Sequence, residues 1–311
     1  MSKVVDIRIG YLSTMYHTSI LIRSMKSLER NGIQPQWTLF GTGPAIVDAL
    51  MNDELDLGYI GLSPTVIGIG KGATIKCIAG GHVEGTVIIA KPDYQTVEPS
   101  SKDLAKALAQ FSGRKFGAPR RGSLHDVFLR FYLSKYGLSD QVEVTNYDWA
   151  DFIADAILDG EVEGAAGTPP LAVLSTMLLN AKIIVPPNLI WPNNPSYGIV
   201  TSQTCLDNRE DLLETFLKIH EEACSQLRTR PDEAASHIAE EMQLVDEQFV
   251  LKTLSISPKY CAALSDEFVD ATMRLIPVLR EMNYLGKIPE DADIFERKLI
   301  RKIHPERPHY T

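Results

Sequence analysis

The stretch "APRRGSLHD", residues 118–126, sets two arginines, a Gly-Ser step and a histidine at what reads as a helix entrance. Arg121 has the planar fork that clamps two oxygens of a carboxylate, sulfonate or phosphate. Gly122 and Ser123 add backbone N–H donors, and a helix start favours negative charge. Arg120 is the rival cation. Three histidines, His17, His82 and His125, stand in loops of the same kind. An imidazole titrates near neutrality, so each could bind a polar ligand or act as the acid or base of a reaction. "HVEG" also brings Glu84 next to His82, but no third ligand stands at metal spacing, so neither a metal nor a cofactor is expected. Tyr11, Tyr16, Trp149 and Tyr197 fall at strand ends or in adjoining loops, where aromatic rings could wall a pocket.

Several other patterns carry less. "FGTGPAI" begins like GxGxxG, but Ile46 stands at the third glycine; a tight strand-to-helix turn accounts for it. No GxSxG elbow, Ser-His-Asp order or P-loop is present. Cys77, Cys205, Cys224 and Cys261 form no CxxC pair, so they read as free thiols, Cys77 in the core. The basic end "RKLIRKIHPERPH" reads as a solvated tail, with no role for His304 or His309.

The loops need elements to hold them, and the chain writes those elements twice. "DALMNDELDLGYIGLSP" begins at Asp48 and "DAILDGEVEGAAGTPP" at Asp155, 107 residues later. Gly10 and Gly117 keep the same offset, and Gly32 and Gly137 both suit a helix-ending C′ position. Each copy reads strand, helix, strand, helix, strand, which implies mostly parallel sheets covered by helices. The expected architecture is α/β with two lobes: residues 1–90 plus 196–311 as a discontinuous first lobe, and 91–195 as the second. The strands "TVIIA" and "YGIVTS" form a two-stranded hinge near Ala90 and Pro195. The helices after about Leu206 pack back on the first lobe. In such folds ligands bind beyond the carboxyl ends of the strands, which is where the candidate loops lie.

A net charge of −9 argues against a nucleic-acid surface. No apolar run is long enough to enter a membrane. The start "MSKVVDIRIGYL" is too short and polar for a signal peptide. The location is therefore extracytoplasmic if an export segment has been removed, and cytoplasmic if the chain is native as given.

"DALMNDELDLGYIGLSPTV", "GGHVEGTVIIA", "FGAPRRGSLHDVFLRFYLSKYGL", "AILDGEVEGAAGTPPLAVL" and "NPSYGIVTS" together resemble the SsuA/TauA/NMT1-like family over almost the whole chain. These are solute-binding proteins of ABC importers with the type II periplasmic-binding-protein fold. The resemblance implies a small organic or oxyanion ligand (sulfonate, nitrate, carboxylate or pyrimidine-like), with an ABC permease as partner and no cofactor. By motif, the contacts carried over are Met15, Tyr16, His17 and Thr18; Thr42 and Gly43; Leu62 and Ser63; His82, Val83, Glu84, Gly85 and Thr86; Arg121, Gly122 and Ser123; and Thr168 and Pro169. Trp149 and Tyr197 join them by position. Sulfonate binders of the family carry a Trp-containing acidic stretch where this chain has "AAGTPP", which points away from an alkanesulfonate. The family also includes enzymes on the same fold, a pyrimidine synthase and an aryl-sulfinate desulfinase. Their cysteine motifs are missing here, so an enzyme reading would rest on His17, His82 and His125.

Overall fold

The computed structural model describes residues 5–97 and 103–310. Its strands, in chain order, are β1 Val5–Leu12, β2 Ile33–Phe40, β3 Leu57–Ile60, β4 Ile75–Val83, β5 Val87–Ala90, β6 Arg114–Pro119, β7 Val142–Tyr147, β8 Gly164–Gly167, β9 Lys182–Val185 and β10 Pro195–Ser202. They form two five-stranded sheets, ordered β2-β1-β3-β10-β4 and β7-β6-β8-β5-β9. In the first, β1 runs parallel to β2 and β3, while β10 runs antiparallel between β3 and β4. The second repeats this arrangement, with β6 parallel to β7 and β8 and with β5 antiparallel between β8 and β9. Each sheet thus takes its one antiparallel strand from a chain that has just crossed over from the other.

This placement moves one expected boundary. Val87–Ala90 does not leave the first lobe as its last strand; it lies inside the second sheet. All four of its residues are buried, and a short apolar run covered on both faces needs a strand on either side. The crossing therefore falls at residues 84–86, ahead of Ala90. There Glu84 sits in the left-handed region, φ 62°. Its N–H donates to the Asn194 carbonyl (2.8 Å), and its carboxylate accepts from the Asn193 N–H (3.1 Å), so the two crossing segments hold each other.

The internal repeat is physical. A Cβ on Gly10 would strike Leu55 at 2.6 Å and Ile46 at 3.0 Å. One on Gly117 would meet Ile153 at 3.1 Å and Val162 at 3.5 Å. These are the same three positions, 107 residues on. In both units the strand is bare so that a helix can close on it. Gly32 and Gly137 end their helices with φ of 76° and 68°, a conformation that costs glycine little.

The C-terminal helices cover the first sheet. The helix Glu210–Thr229 buries Leu213, Phe216 and Leu217 in one cluster with Ile7 and Ile9 of β1. The basic end is not a solvated tail. It forms the helix Lys298–Ile303, whose Leu299 and Ile300 are buried, and Lys298 and Lys302 pair with Glu210 and Glu214 at 2.8 and 2.7 Å. His304 and Tyr310 are buried too. The charges of that stretch line one side of a helix, and its few apolar residues set the other side against the core. Among the described residues, no helix is long and apolar enough to cross a membrane.

Candidate functional site

Six helices start at one place. The residues that cap the starts of Thr18–Ser24, Gly43–Met51, Leu62–Gly70, Leu124–Lys135, Phe152–Leu158 and Pro169–Leu179 are His17, Thr42, Gly61, Ser123, Asp151 and Thr168. All six line a single cavity of about 380 Å³ between the two sheets. The topology dictates this, because every helix that follows a parallel strand begins at that strand's carboxyl end. Only Ser123 uses its own side chain to cap its helix, accepting from the Asp126 N–H. The other five starts carry no side-chain cap. Their partial positive charge is directed at the cavity, and prolines in the first turns of Gly43–Met51 and Pro169–Leu179 withdraw some of the donors.

Most of the remaining wall is apolar. Leu12, Met15, Pro64, Leu124, Leu171 and Leu174 come from the two repeat units. Met242 ends the helix Pro231–Met242, Leu244 and Val245 form the turn after it, and Phe249 lies in the first turn of Glu247–Ile256. Among the described lining residues none is Lys or Arg, and Asp151 is the one formal charge. Asp151 accepts from the Ser13 hydroxyl across the mouth (2.7 Å). Two more contacts tie the halves together. The Ser63 hydroxyl donates to the Gly122 carbonyl at 3.1 Å, and Arg120 lies 3.8 Å from Asp48. Gly41 packs so tightly under Asp148 and Trp149 that a Cβ there would sit 2.6 Å from the Asp148 carbonyl oxygen.

Two imidazoles face this space. His17 is 2% exposed, and its Nδ1 has no hydrogen-bond partner. Its ring packs 4.0 Å from Tyr197, whose hydroxyl accepts from the Thr18 N–H. His125 Nδ1 is 2.9 Å from the Thr86 hydroxyl. Burial pushes both histidines down, His17 well below its ordinary value, with the neighbouring histidines adding to the effect, and His125 to about 4. Both are therefore neutral at pH 7. The site can offer imidazole nitrogens, hydroxyls, N–H groups and apolar walls, but no fixed cation.

Of the residues expected from the sequence, Met15, Tyr16, His17, Thr42, Gly43, Ser123, His125 and Thr168 line the cavity. Several others stand directly behind it. Thr18 gives its hydroxyl to His220 (2.8 Å), Thr86 holds His125, and Tyr197 backs His17. Leu62, Ser63, Gly122 and Pro169 belong to the helix starts without lining the space. Val83, Glu84 and Gly85 form the crossing. His82, pushed down to about 4 by burial, donates Nε2–H to the Ser257 carbonyl (2.6 Å) between the rings of Tyr16 and Tyr260. It supports the crossing and does not reach the cavity. Trp149 is at the rim and partly exposed.

Arg121 is the main correction. Its Nε donates to the Tyr284 hydroxyl (3.1 Å), on the outer side of the turn. Gly122, at φ 86°, reverses the chain just after it, which turns Arg121 away and Ser123 inward. The sequence reading missed Ser13, Thr14, Asp151, Ser196 and the segment 242–249. Nothing in the sequence marked the last of these; the 86% exposure of Leu244 in the turn between two helices is evident only once the chain is folded.

The comparisons agree with this geometry. A Brucella abortus protein provisionally named a binding protein is 26% identical over 298 residues, covering 94% of this chain and 85% of its own. A Bacillus subtilis protein provisionally named an aliphatic sulfonates-binding protein is 24% identical over 310 residues, covering 97% and 89%. The alkanesulfonate-binding protein SsuA of Xanthomonas axonopodis pv. citri, solved with MOPS, superposes with a TM-score of 0.78 at 18% identity, covering 96% of this chain and all of that one. That likeness establishes the fold as the two-lobed, periplasmic-binding-protein-like kind. The sequence profile of the NMT1-like family matches residues 2–243, and the chain belongs to that family.

Proposed function

We propose that this chain captures a small organic solute between its lobes and hands it to an ABC-type importer. The observation that carries the reading is the convergence of six helix starts and two neutral histidines on one apolar-walled cavity of about 380 Å³. Helix starts favour acceptor atoms, and the apolar wall favours a carbon or heteroaromatic body. Nitrate is too small to use such a wall. A strongly ionised sulfonate would find no cation to pair with. The favoured ligand is therefore a compact, acceptor-rich and nearly neutral molecule, a pyrimidine-like heterocycle before an alkyl anion. The relatives named as binding proteins support capture rather than turnover. Residues 84–86 and the segment before β10 serve as the hinge, with ligand shifting the balance between open and closed forms. The acting partner is then an importer's permease, met on the outer face of the membrane.

A thermal-shift screen across pyrimidines, aromatic carboxylates, sulfonates and nitrate tests this. A ligand at a hundred times its dissociation constant adds about 2.7 kcal/mol of stability. His17→Ala or His125→Ala is expected to weaken the best hit about tenfold, whereas Arg121→Ala leaves its affinity within about twofold, because Arg121 points outward. Nitrate as sole hit, or loss of binding in Arg121→Ala with His17→Ala unaffected, overturns the ligand class. Conversion of the hit into a new compound overturns capture in favour of catalysis.

A further inference from the structure

Far from the cleft, three groups that bind metals meet without a metal-binding motif in the sequence. Cys261 follows the helix Glu247–Ile256 and is fully buried, with its N–H on the Gly81 carbonyl of β4 (3.1 Å). Its Sγ lies 3.4 Å from His304 Nε2 and 3.6 Å from His309 Nδ1. The three donor atoms are all within 4.8 Å of one another. A thiol has one proton and can satisfy one imidazole nitrogen, yet two converge here. The His309 backbone N–H also points at the same sulfur (3.4 Å), an arrangement that suits a thiolate acceptor.

The geometry points to a divalent zinc-type cation held by Cys261, His304 and His309. With metal–sulfur and metal–nitrogen bonds of about 2.3 and 2.0–2.1 Å, a tetrahedral site has sulfur–nitrogen edges of about 3.6 Å. The observed 3.4 and 3.6 Å are those edges. One thiolate and two imidazoles form a donor set suited to zinc and unsuited to magnesium or calcium. The outer partners fit as well. His304 Nδ1, on the far side of the ring, faces carboxylate oxygens of Glu221 at 3.3 Å and Glu306 at 3.4 Å. A carboxylate behind a ligating histidine sets its ring and its tautomer, leaving Nε2 free for the metal. His309 is partly exposed and provides the entry route. The ion would pin the chain's end to the edge of β4, where the Tyr310 hydroxyl already donates to the Cys261 carbonyl (2.5 Å).

The test uses the full chain without a histidine tag, stripped by a chelator and then titrated with zinc against a chromophoric competitor. One ion per chain is expected, with a rise in Tm that the chelator reverses. Cobalt in place of zinc is expected to give the strong visible bands of a tetrahedral site and a near-ultraviolet thiolate-to-cobalt band. Cys261→Ser should abolish that band. His309→Ala, at the exposed side where folding is least at risk, should weaken zinc binding more than tenfold. Glu221→Gln positions a ligand without being one, so it should weaken zinc about tenfold and keep the thiolate band. His237→Ala is the control and should change nothing. Absence of a one-to-one site, a cobalt spectrum without the thiolate band, or unchanged affinity in His309→Ala would each overturn the assignment. The solute cleft shares none of these residues, so its binding is a separate readout.

Discussion

The two repeat units share a backbone plan and hold their ligand-facing turns by opposite means. In the first unit the turn is set in rings. Tyr16 packs on His17 and His82, His17 on Tyr197 and Tyr59, and Tyr59 on Phe216 and His220. Several polar atoms there lack partners, among them His17 Nδ1, Ser19 Oγ and Tyr59 Oη. In the second unit the turn is set by one fully buried carboxylate. Asp126 accepts from the Gly122 N–H (3.0 Å), Arg130 Nε (2.7 Å) and Asn146 Nδ2 (2.9 Å). Ring packing is broad and nondirectional, whereas a charge network specifies a single geometry and is costly to leave half made. The two units thus share where their helices start and differ in how those starts are held.

The largest expected effect follows from where the histidines lie. His17, His82 and His220 all serve the first unit, and burial pushes each of them down, His82 and His220 to about 4. His125 in the second unit is also near 4. Unfolded histidine titrates near 6.5, so between about pH 6.5 and 4 the unfolded chain holds protons that the folded chain does not. The contribution of these four histidines is therefore fully present above pH 6.5 and falls as the pH drops, by about 1.4 kcal/mol per unit for each. Urea unfolding across that range is expected to show the first lobe losing stability before the second, as followed by Trp37 against Trp191 fluorescence in single-tryptophan variants. A flat stability between pH 6.5 and 4.5 would mean that these rings are hydrated and that the contrast between units is not energetic.

A smaller but more local effect is expected at Asp126. Asp126→Ala removes the acceptor of four donors, the Tyr284 hydroxyl (3.4 Å) being the fourth, and leaves the Arg130 charge without its partner, a loss of about 3 kcal/mol. Asp126→Asn keeps the shape but replaces one acceptor oxygen with a donor, set against either Gly122 and Tyr284 or Arg130 and Asn146, so it should recover little. Chemical denaturation measures both. A loss below about 1 kcal/mol in Asp126→Ala would show that the second turn is held by packing after all, like the first.

What could be read beforehand divides along the same line. The repeat, the helix-ending glycines and the lining by Thr42, Ser123 and Thr168 were legible, because they depend on local chain geometry that recurs with period and offset. The sheet that β5 joins was not, since a four-residue apolar strand fits either sheet by pattern alone and is assigned by its neighbours. Arg121 misled because its attraction was chemical type, while its direction was set by the φ 86° of Gly122. The rings behind His17 and the Cys261–His304 meeting lie between segments far apart in the chain, where spacing carries no signal.

The smallest effect is the sharpest test of the comparison. Ser19 is the second residue of the first unit's helix Thr18–Ser24, where Asp126 is the third of Leu124–Lys135, so both sit in the first turn of corresponding helices. It is fully buried, and its hydroxyl has no partner. Where Asp126 organises a network, Ser19 organises nothing and carries the cost of a desolvated hydroxyl. Removing an unsatisfied buried group relieves that cost, so Ser19→Ala should be neutral or stabilise by up to about 1 kcal/mol, with helix propensity acting in the same direction. The pair, Asp126→Ala and Ser19→Ala, then differs in sign within the first turn of corresponding helices. Denaturation midpoints of the two variants against the parent measure it directly. A loss above about 1 kcal/mol in Ser19→Ala would reveal a partner for that hydroxyl and a polar network in the first unit too.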